Sequence, residues 1–101
     1  MYKRQELNTA VRLGLDLIVV ICNDAAYGAE HIQLLDKKMD PVASTFDWPS
    51  FASVAQSLGA QGIDLRTEDD LDAVKAAIQN RSGPLVIDMH LDPFDVPRMR
   101  V

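Results

Sequence analysis

Asn23 and Asp24 are the residues with chemistry to offer. They close a run, Leu17-Ile18-Val19-Val20-Ile21-Cys22, that is apolar and rich in β-branched side chains. A run of that length without polar alternation reads as a strand buried on both faces, as in a parallel sheet. Asn23 and Asp24 then fall at its carboxyl end, where open α/β sheets bind ligands. A helix is expected to begin near Tyr27, with its free N–H groups facing the same place. One carboxylate, one amide and one helix N-terminus meeting there suit a divalent cation and a phosphate, oxygen ligands for the one and N–H donors for the other.

The elements that must position these residues follow from periodicity and punctuation. Glu6 to Leu13 reads as a helix with Leu7, Ala10, Val11 and Gly14 on one face, and Gly14 as its stop. Leu15 to Cys22 is the strand. Tyr27 to about Met39 reads as a second helix, with Ile32 and Leu35 on one side and Lys37 and Lys38 near the end, where the dipole favours cations. Asp40-Pro41 breaks it. In the irregular stretch that follows, Asp47 is expected to cap the next helix with Pro49 in its first turn. Phe51, Val54, Ala55 and Leu58 form the apolar stripe of that helix, and Gly59 ends it.

Gln61 to Arg66 alternates and reads as a short strand. Thr67-Glu68-Asp69-Asp70 resembles a capping box with Asp in place of the usual Glu, opening a helix that buries Leu71, Val74, Ala77 and Ile78. Ser82-Gly83-Pro84 turns the chain into a last strand, Leu85 to Met89. The alternation predicts an α/β fold, a parallel sheet with helices on both faces. The strand before Asn23, apolar all round, is expected at the centre of the sheet. It then needs neighbours that the remaining segments do not supply.

Composition narrows the function classes. With 101 residues the chain is one small domain, and 48% hydrophobic residues suit a packed core. A net charge of -5 suggests neither nucleic acid nor an anionic membrane as partner. One cysteine allows no internal disulfide and fits a reducing, cytoplasmic setting. Cys22 itself reads as a small buried hydrophobe at the strand end. No apolar run approaches the roughly 20 residues of a membrane span.

The stretch Asn23-Asp24-Ala25-Ala26-Tyr27-Gly28 resembles the close of the thiamine diphosphate signature. That signature opens with Gly-Asp-Gly, runs on for roughly 25–30 residues and ends in Asn-Asn at a strand end, its oxygens ligating Mg²⁺ as hard ligands do. Gln5-Glu6-Leu7-Asn8-Thr9-Ala10-Val11-Arg12 resembles the helix before this strand in members like acetolactate synthase and the 2-keto acid decarboxylases. Phe51 to Ala60 resembles the helix after it, and Gly83-Pro84-Leu85-Val86-Ile87-Asp88 the closing strand. The resemblance covers about Gln5 to Pro93.

It implies a partial thiamine diphosphate-binding fold, with thiamine diphosphate and Mg²⁺ as cofactors. Asp24 would supply a side-chain oxygen to the metal, in place of the family's usual Asn, and Ala26 its backbone carbonyl. Asn23 would shape the turn, and Tyr27 and Gly28 would begin the helix that faces the diphosphate. Glu30 falls where some decarboxylases of the family carry a catalytic acid, with His31 beside it. The plainer readings stay open: a capping Asp24, a packing Tyr27, a solvated Glu30 and His31. His90, at the end of the last strand, also points to the ligand edge.

The resemblance further implies a parent enzyme that decarboxylates or ligates 2-keto acids as a homodimer or homotetramer, binding no nucleic acid or membrane. Its activating glutamate would come from the partner subunit, so residues 1–101 alone are expected to be inactive. FAD in the parent is left open, since a middle domain would hold it. The domain is expected over residues 6–93, with an extended tail at 94–101. Met1-Tyr2-Lys3-Arg4-Gln5 matches the translation of a common sequencing-library adapter, so residues 1–5 are expected to be a non-native leader, and Gly-Asp-Gly is expected just upstream. The rival reading is a non-enzymatic receiver-like signalling module with Asp24 as phosphoacceptor. It lacks the earlier acidic strand end, and Met89-His90-Leu91 stands where a Lys is needed.

Overall fold

In the computed structural model, residues 2–95 are described, with side chains from Gln5 onward. In chain order they form α1 (Tyr2–Arg12), β1 (Ile18–Asn23), α2 (Gly28–Asp36), a 3-10 turn (Pro41–Ser44), α3 (Phe51–Ser57), β2 (Gln61–Leu65), a second 3-10 turn (Glu68–Asp70), α4 (Leu71–Gln79) and β3 (Leu85–His90). All strand pairs are parallel and the sheet order is β1-β3-β2. The expected α/β class holds.

The order of the strands corrects one expectation. The last strand, β3, is central, and its run Leu85-Val86-Ile87-Asp88 is buried throughout. β1 is an edge: it alternates between exposed and half-buried, with Val20 52% and Ile18 38% exposed. Its apolar character therefore goes unused on one face and along one edge among the described residues. Cys22, expected to be buried, is exposed for the same reason.

Successive β3 side chains point to opposite faces. On one side Val86 packs with Ala55 and Ala60 of the α3 segment, joined by Leu7, Val11, Val19 and Ile21. On the other Leu85 and Ile87 pack with Val74 of α4, joined by Ile63, Leu65, Ala77 and Ile78. Leu71, expected in that stripe, is 51% exposed, because α4 begins only at Leu71, at the rim of the core. α3 lies so close to β2 that a Cβ on Gly62 would run into the Ala52 carbonyl.

The helix ends also differ from expectation. Ser50, not Asp47, caps α3: its Oγ accepts from the N–H groups of Ala52 and Ser53, and Pro49 precedes the cap. Asp70 reaches back to the Thr67 N–H as a capping box does, but the box opens a 3-10 turn that runs into α4. α2 stops at Asp36, short of Met39, where Lys38 turns to φ +55° and the Met39 N–H closes on the Leu34 carbonyl. Lys37 and Lys38 thus lie beyond the helix. α1 runs through residues 2–5, the expected leader. The start of the expected tail is a turn, with Asp92 Oδ1 accepting from the Phe94 N–H at 2.9 Å; residues 96–101 lie outside the described residues.

Candidate functional site

Two of the four buried polar side chains among the described residues, Asn23 and Asp88, lie on the strands toward their carboxyl ends. Asn23 ends β1 and is buried. Its Nδ2 donates to Asp88 Oδ1 at 3.0 Å. Its Oδ1 accepts from the Ala25 N–H at 3.0 Å and from the Trp48 indole N–H at 3.1 Å. Asn23 therefore turns inward and shapes the loop. Ala25 is held at φ +52°, a left-handed conformation that costs a non-glycine residue and persists only where its surroundings insist on it.

That turn delivers Asp24 to the half-buried rim. Its Oδ1 accepts from the Ala26 N–H at 3.1 Å, and its Oδ2 points at Gly28, the first residue of α2: a Cβ there would come within 3.1 Å of it. Ala26 lies in a bridge to Thr45 whose two bonds run from the Tyr27 N–H to the Ser44 carbonyl and from the Phe46 N–H to the Ala25 carbonyl. The Ala26 carbonyl takes no part in that pair. Asp24, Ala26 and the start of α2 are thus brought together.

The other predicted residues fall around this point. Tyr27 is 58% exposed and packs edge-on against Phe46, which stacks on Trp48 at 4.9 Å. Glu30 is exposed in the first turn of α2. His31, read as solvated, is fully buried. Ser44 Oγ donates to the Pro41 carbonyl, so it accepts from His31 Nδ1 at 3.0 Å, while Nε2 has no partner among the described residues. The ring of Phe94 packs against it edge-on at 4.9 Å.

A second polar group lies beside the first. Asp88, 0% exposed, also accepts from the Phe51 N–H at the start of α3, at 2.7 Å. His90 Nε2 stands 2.7 Å from Asp64 Oδ1 and 3.5 Å from Asp88 Oδ2, and Ser50 Oγ donates to Asp64 Oδ1 at 2.8 Å. Partial burial works against the Asp64 charge, but the hydrogen bonds from His90 and Ser50, with the charges of Arg66 and His90, hold its carboxyl below the usual range. Asp64, Asp88 and His90 bring ligand atoms within 4.8 Å of one another, and hydrogen bonds already engage all three residues.

Sequence reasoning passed over Asp64, Asp88 and Trp48. One signal was present: Asp88 is a lone acid inside a buried apolar strand, where an acid needs partners.

A strand-end carboxylate beside a helix start, on a parallel sheet, is the layout of an α/β ligand-binding domain. The comparisons give the family. Residues 1–89 match the model described as thiamine pyrophosphate enzyme, C-terminal TPP binding domain, and the chain belongs to that family. It is 32% identical over 95 residues to the acetolactate synthase of Bacillus subtilis (strain 168), covering 94% of this chain and 17% of that protein. It is 31% identical over 97 residues to the probable pyruvate decarboxylase Pdc101 of Schizosaccharomyces pombe, covering 90% of this chain and 16% of that protein. It is 32% identical over 94 residues to acetolactate synthase isozyme 1 large subunit of Escherichia coli (strain K12), covering 91% and 17%. The chain thus spans about a sixth of the length of these curated relatives. This membership displaces the receiver-like alternative. No described helix is long and apolar enough to cross a membrane.

The donor set fits the family's cofactor. Asp24 Oδ2 and the Ala26 carbonyl are hard oxygens of the kind Mg²⁺ takes. The missing Cβ of Gly28 leaves the space in front of Asp24 open, where a larger residue would crowd the carboxylate.

Proposed function

We propose that this chain is the part of a thiamine diphosphate-dependent 2-keto acid enzyme that holds half of the diphosphate and metal anchor. The observation that carries the reading is the approach of Asp24 Oδ2 to the glycine that starts α2. Asp24 would ligate Mg²⁺ through its carboxylate and Ala26 through its backbone carbonyl. Asn23 would keep the turn in shape from within. Tyr27 and Gly28 would place the first N–H groups of α2 toward phosphate oxygens, where the helix dipole favours negative charge.

Bound thiamine diphosphate supplies the electron sink for decarboxylation, and the protein anchors and orients it. The Asp24 carboxylate offsets the charge of the metal, and the glycine lets the backbone come close. Glu30, exposed in the first turn of α2, is the candidate acid for protonating the product carbon. The parent would act on a small 2-keto acid, by decarboxylation or by ligation to a second carbonyl. It would work as a homodimer or homotetramer in the cytoplasm, and residues 1–101 alone would be inactive. The names of the relatives, acetolactate synthase and pyruvate decarboxylase, support that substrate class.

The test is a manganese(II) titration of the ¹⁵N-labelled chain with thiamine diphosphate present. Paramagnetic broadening strongest at the amides of residues 24–28 and falling off with distance from them is expected, because proximity broadening reports even weak binding. No broadening there, or broadening spread evenly over the exposed acids, would overturn the reading.

A further inference from the structure

Asp88 is an expensive residue to keep where it is. It lies on the central strand between Ile21 of β1 and Asp64 of β2, and no part of it reaches solvent. A carboxylate in that position must replace its lost water with donors. Asp88 does so with one oxygen for each of two elements: Oδ1 takes the Asn23 Nδ2 group and Oδ2 takes the Phe51 N–H.

The first of these bonds decides the orientation of a group that has two. An Asn amide has a donor side and an acceptor side. With Nδ2 held by Asp88, Oδ1 faces the Ala25 N–H and the Trp48 indole N–H. The reversed amide would set an NH₂ group against two N–H donors and an oxygen against a carboxylate. Only one orientation satisfies the carboxylate and both N–H groups, and Asp88 supplies the acceptor on the amide's donor side. In that orientation Oδ1 accepts from the amide of Ala25, the residue at φ +52° that follows Asp24.

We propose that Asp88 is the positioning residue of this site: its buried carboxylate fixes the Asn23 amide, and through it the turn that aims Asp24. The link from Asp88 to the turn stands on geometry alone, and its meaning for the cofactor rests on the proposed role of Asp24. The same carboxylate holds the first N–H of α3, so the turn and the helix start are set by one group.

The arrangement requires two acceptors at position 88. Asp88→Asn keeps the shape but offers one, so either Asn23 or Phe51 meets an NH₂ group. The exchange of the pair, Asn23→Asp with Asp88→Asn, satisfies everything again. Asn at 88 donates to Asp at 23 and accepts from the Phe51 N–H, while Asp at 23 accepts from Ala25 and Trp48. Net charge is unchanged.

The experiment is hydrogen exchange on the ¹⁵N-labelled chain. In Asp88→Asn, the Trp48 indole N–H and the Ala25 amide should exchange about tenfold faster, with the amides of α4 unchanged, as expected of a local opening. The exchanged pair should return both to near the wild-type rate. A folded Asp88→Asn with both rates within about twofold of wild type, or an exchanged pair that fails to restore them, would overturn the proposal. If Asp88→Asn does not fold, the exchanged pair decides: wild-type protection supports the proposal and an unfolded chain defeats it. Manganese broadening at residues 24–28 of the wild type separates the two ideas. Its absence removes the metal reading and leaves the exchange result standing, whereas broadening with unaffected exchange in Asp88→Asn removes the positioning role alone.

Discussion

Gly28 and Asp24 meet across the turn at the end of β1, where a Cβ on the glycine would lie 3.1 Å from Asp24 Oδ2. The contact is with the free end of a side chain, so Gly28→Ala should leave the fold intact, within about 0.5 kcal/mol in urea unfolding. It should turn the carboxylate aside and weaken manganese broadening at residues 24–28 several-fold. Asp24→Ala should abolish that broadening, and Asp24→Asn, which keeps an oxygen ligand, should retain part of it. Equal broadening in all three variants would show that the metal does not use this carboxylate.

Gly62 is the opposite case, because its neighbour is backbone. A methyl group there collides with the Ala52 carbonyl, and α3 must move off β2 to accept it. Gly62→Ala should cost about 1–3 kcal/mol in urea unfolding, as overpacking does, and expose the Ala52 and Ala55 face of α3. A variant as stable as wild type would mean that the helix is free to slide.

Ser50 serves two partners, the start of α3 and Asp64. Ser50→Ala should cost about 1 kcal/mol as a lost N-cap. Asp64 adds a pH dependence whose sign follows from its lowered pKa. A carboxyl below its unfolded value contributes stability that is fully present above about pH 4 and is lost as pH falls through the folded value. The urea midpoint should therefore drop between pH 6 and pH 3, and drop less in Asp64→Asn. An acid limb identical in the two chains would assign the loss to other carboxylates.

Among the described residues the outer edge of β1 has no partner, and Ile18 and Val20 are exposed. Such an edge pairs with other chains. The isolated chain should sediment as a concentration-dependent mixture, and Val20→Lys should shift it toward monomer. A wild-type chain that stays monomeric at high concentration would show that this edge is closed to partners.

Much of this architecture was legible in advance. Every helix and strand was expected within a few residues, because apolar period and glycine punctuation are local properties. The sheet order was not: Leu17–Cys22 and Leu85–Met89 are both apolar runs, and nothing local says which takes the middle. The loop 45–50 hid its cap, since Asp47 and Ser50 are both good capping residues and only the path of the chain chooses. Asn23 and Asp24 were visible as a pair at a strand end, and their opposite directions were not. Asn23 turns inward because Asp88, 65 residues on, is there to meet it. His31 illustrates the same limit: its burial depends on Ser44 and Phe94 arriving from elsewhere.

The place of β3 also bears on how the chain is made. β1 and β2 never touch as neighbours; each pairs with the last strand. A ribosome delivers both flanking strands before the one that joins them. Until residues 85–90 emerge, β1 and β2 have no common partner among the described residues. Joining them is therefore a late event of long sequence separation, the kind that folds slowly.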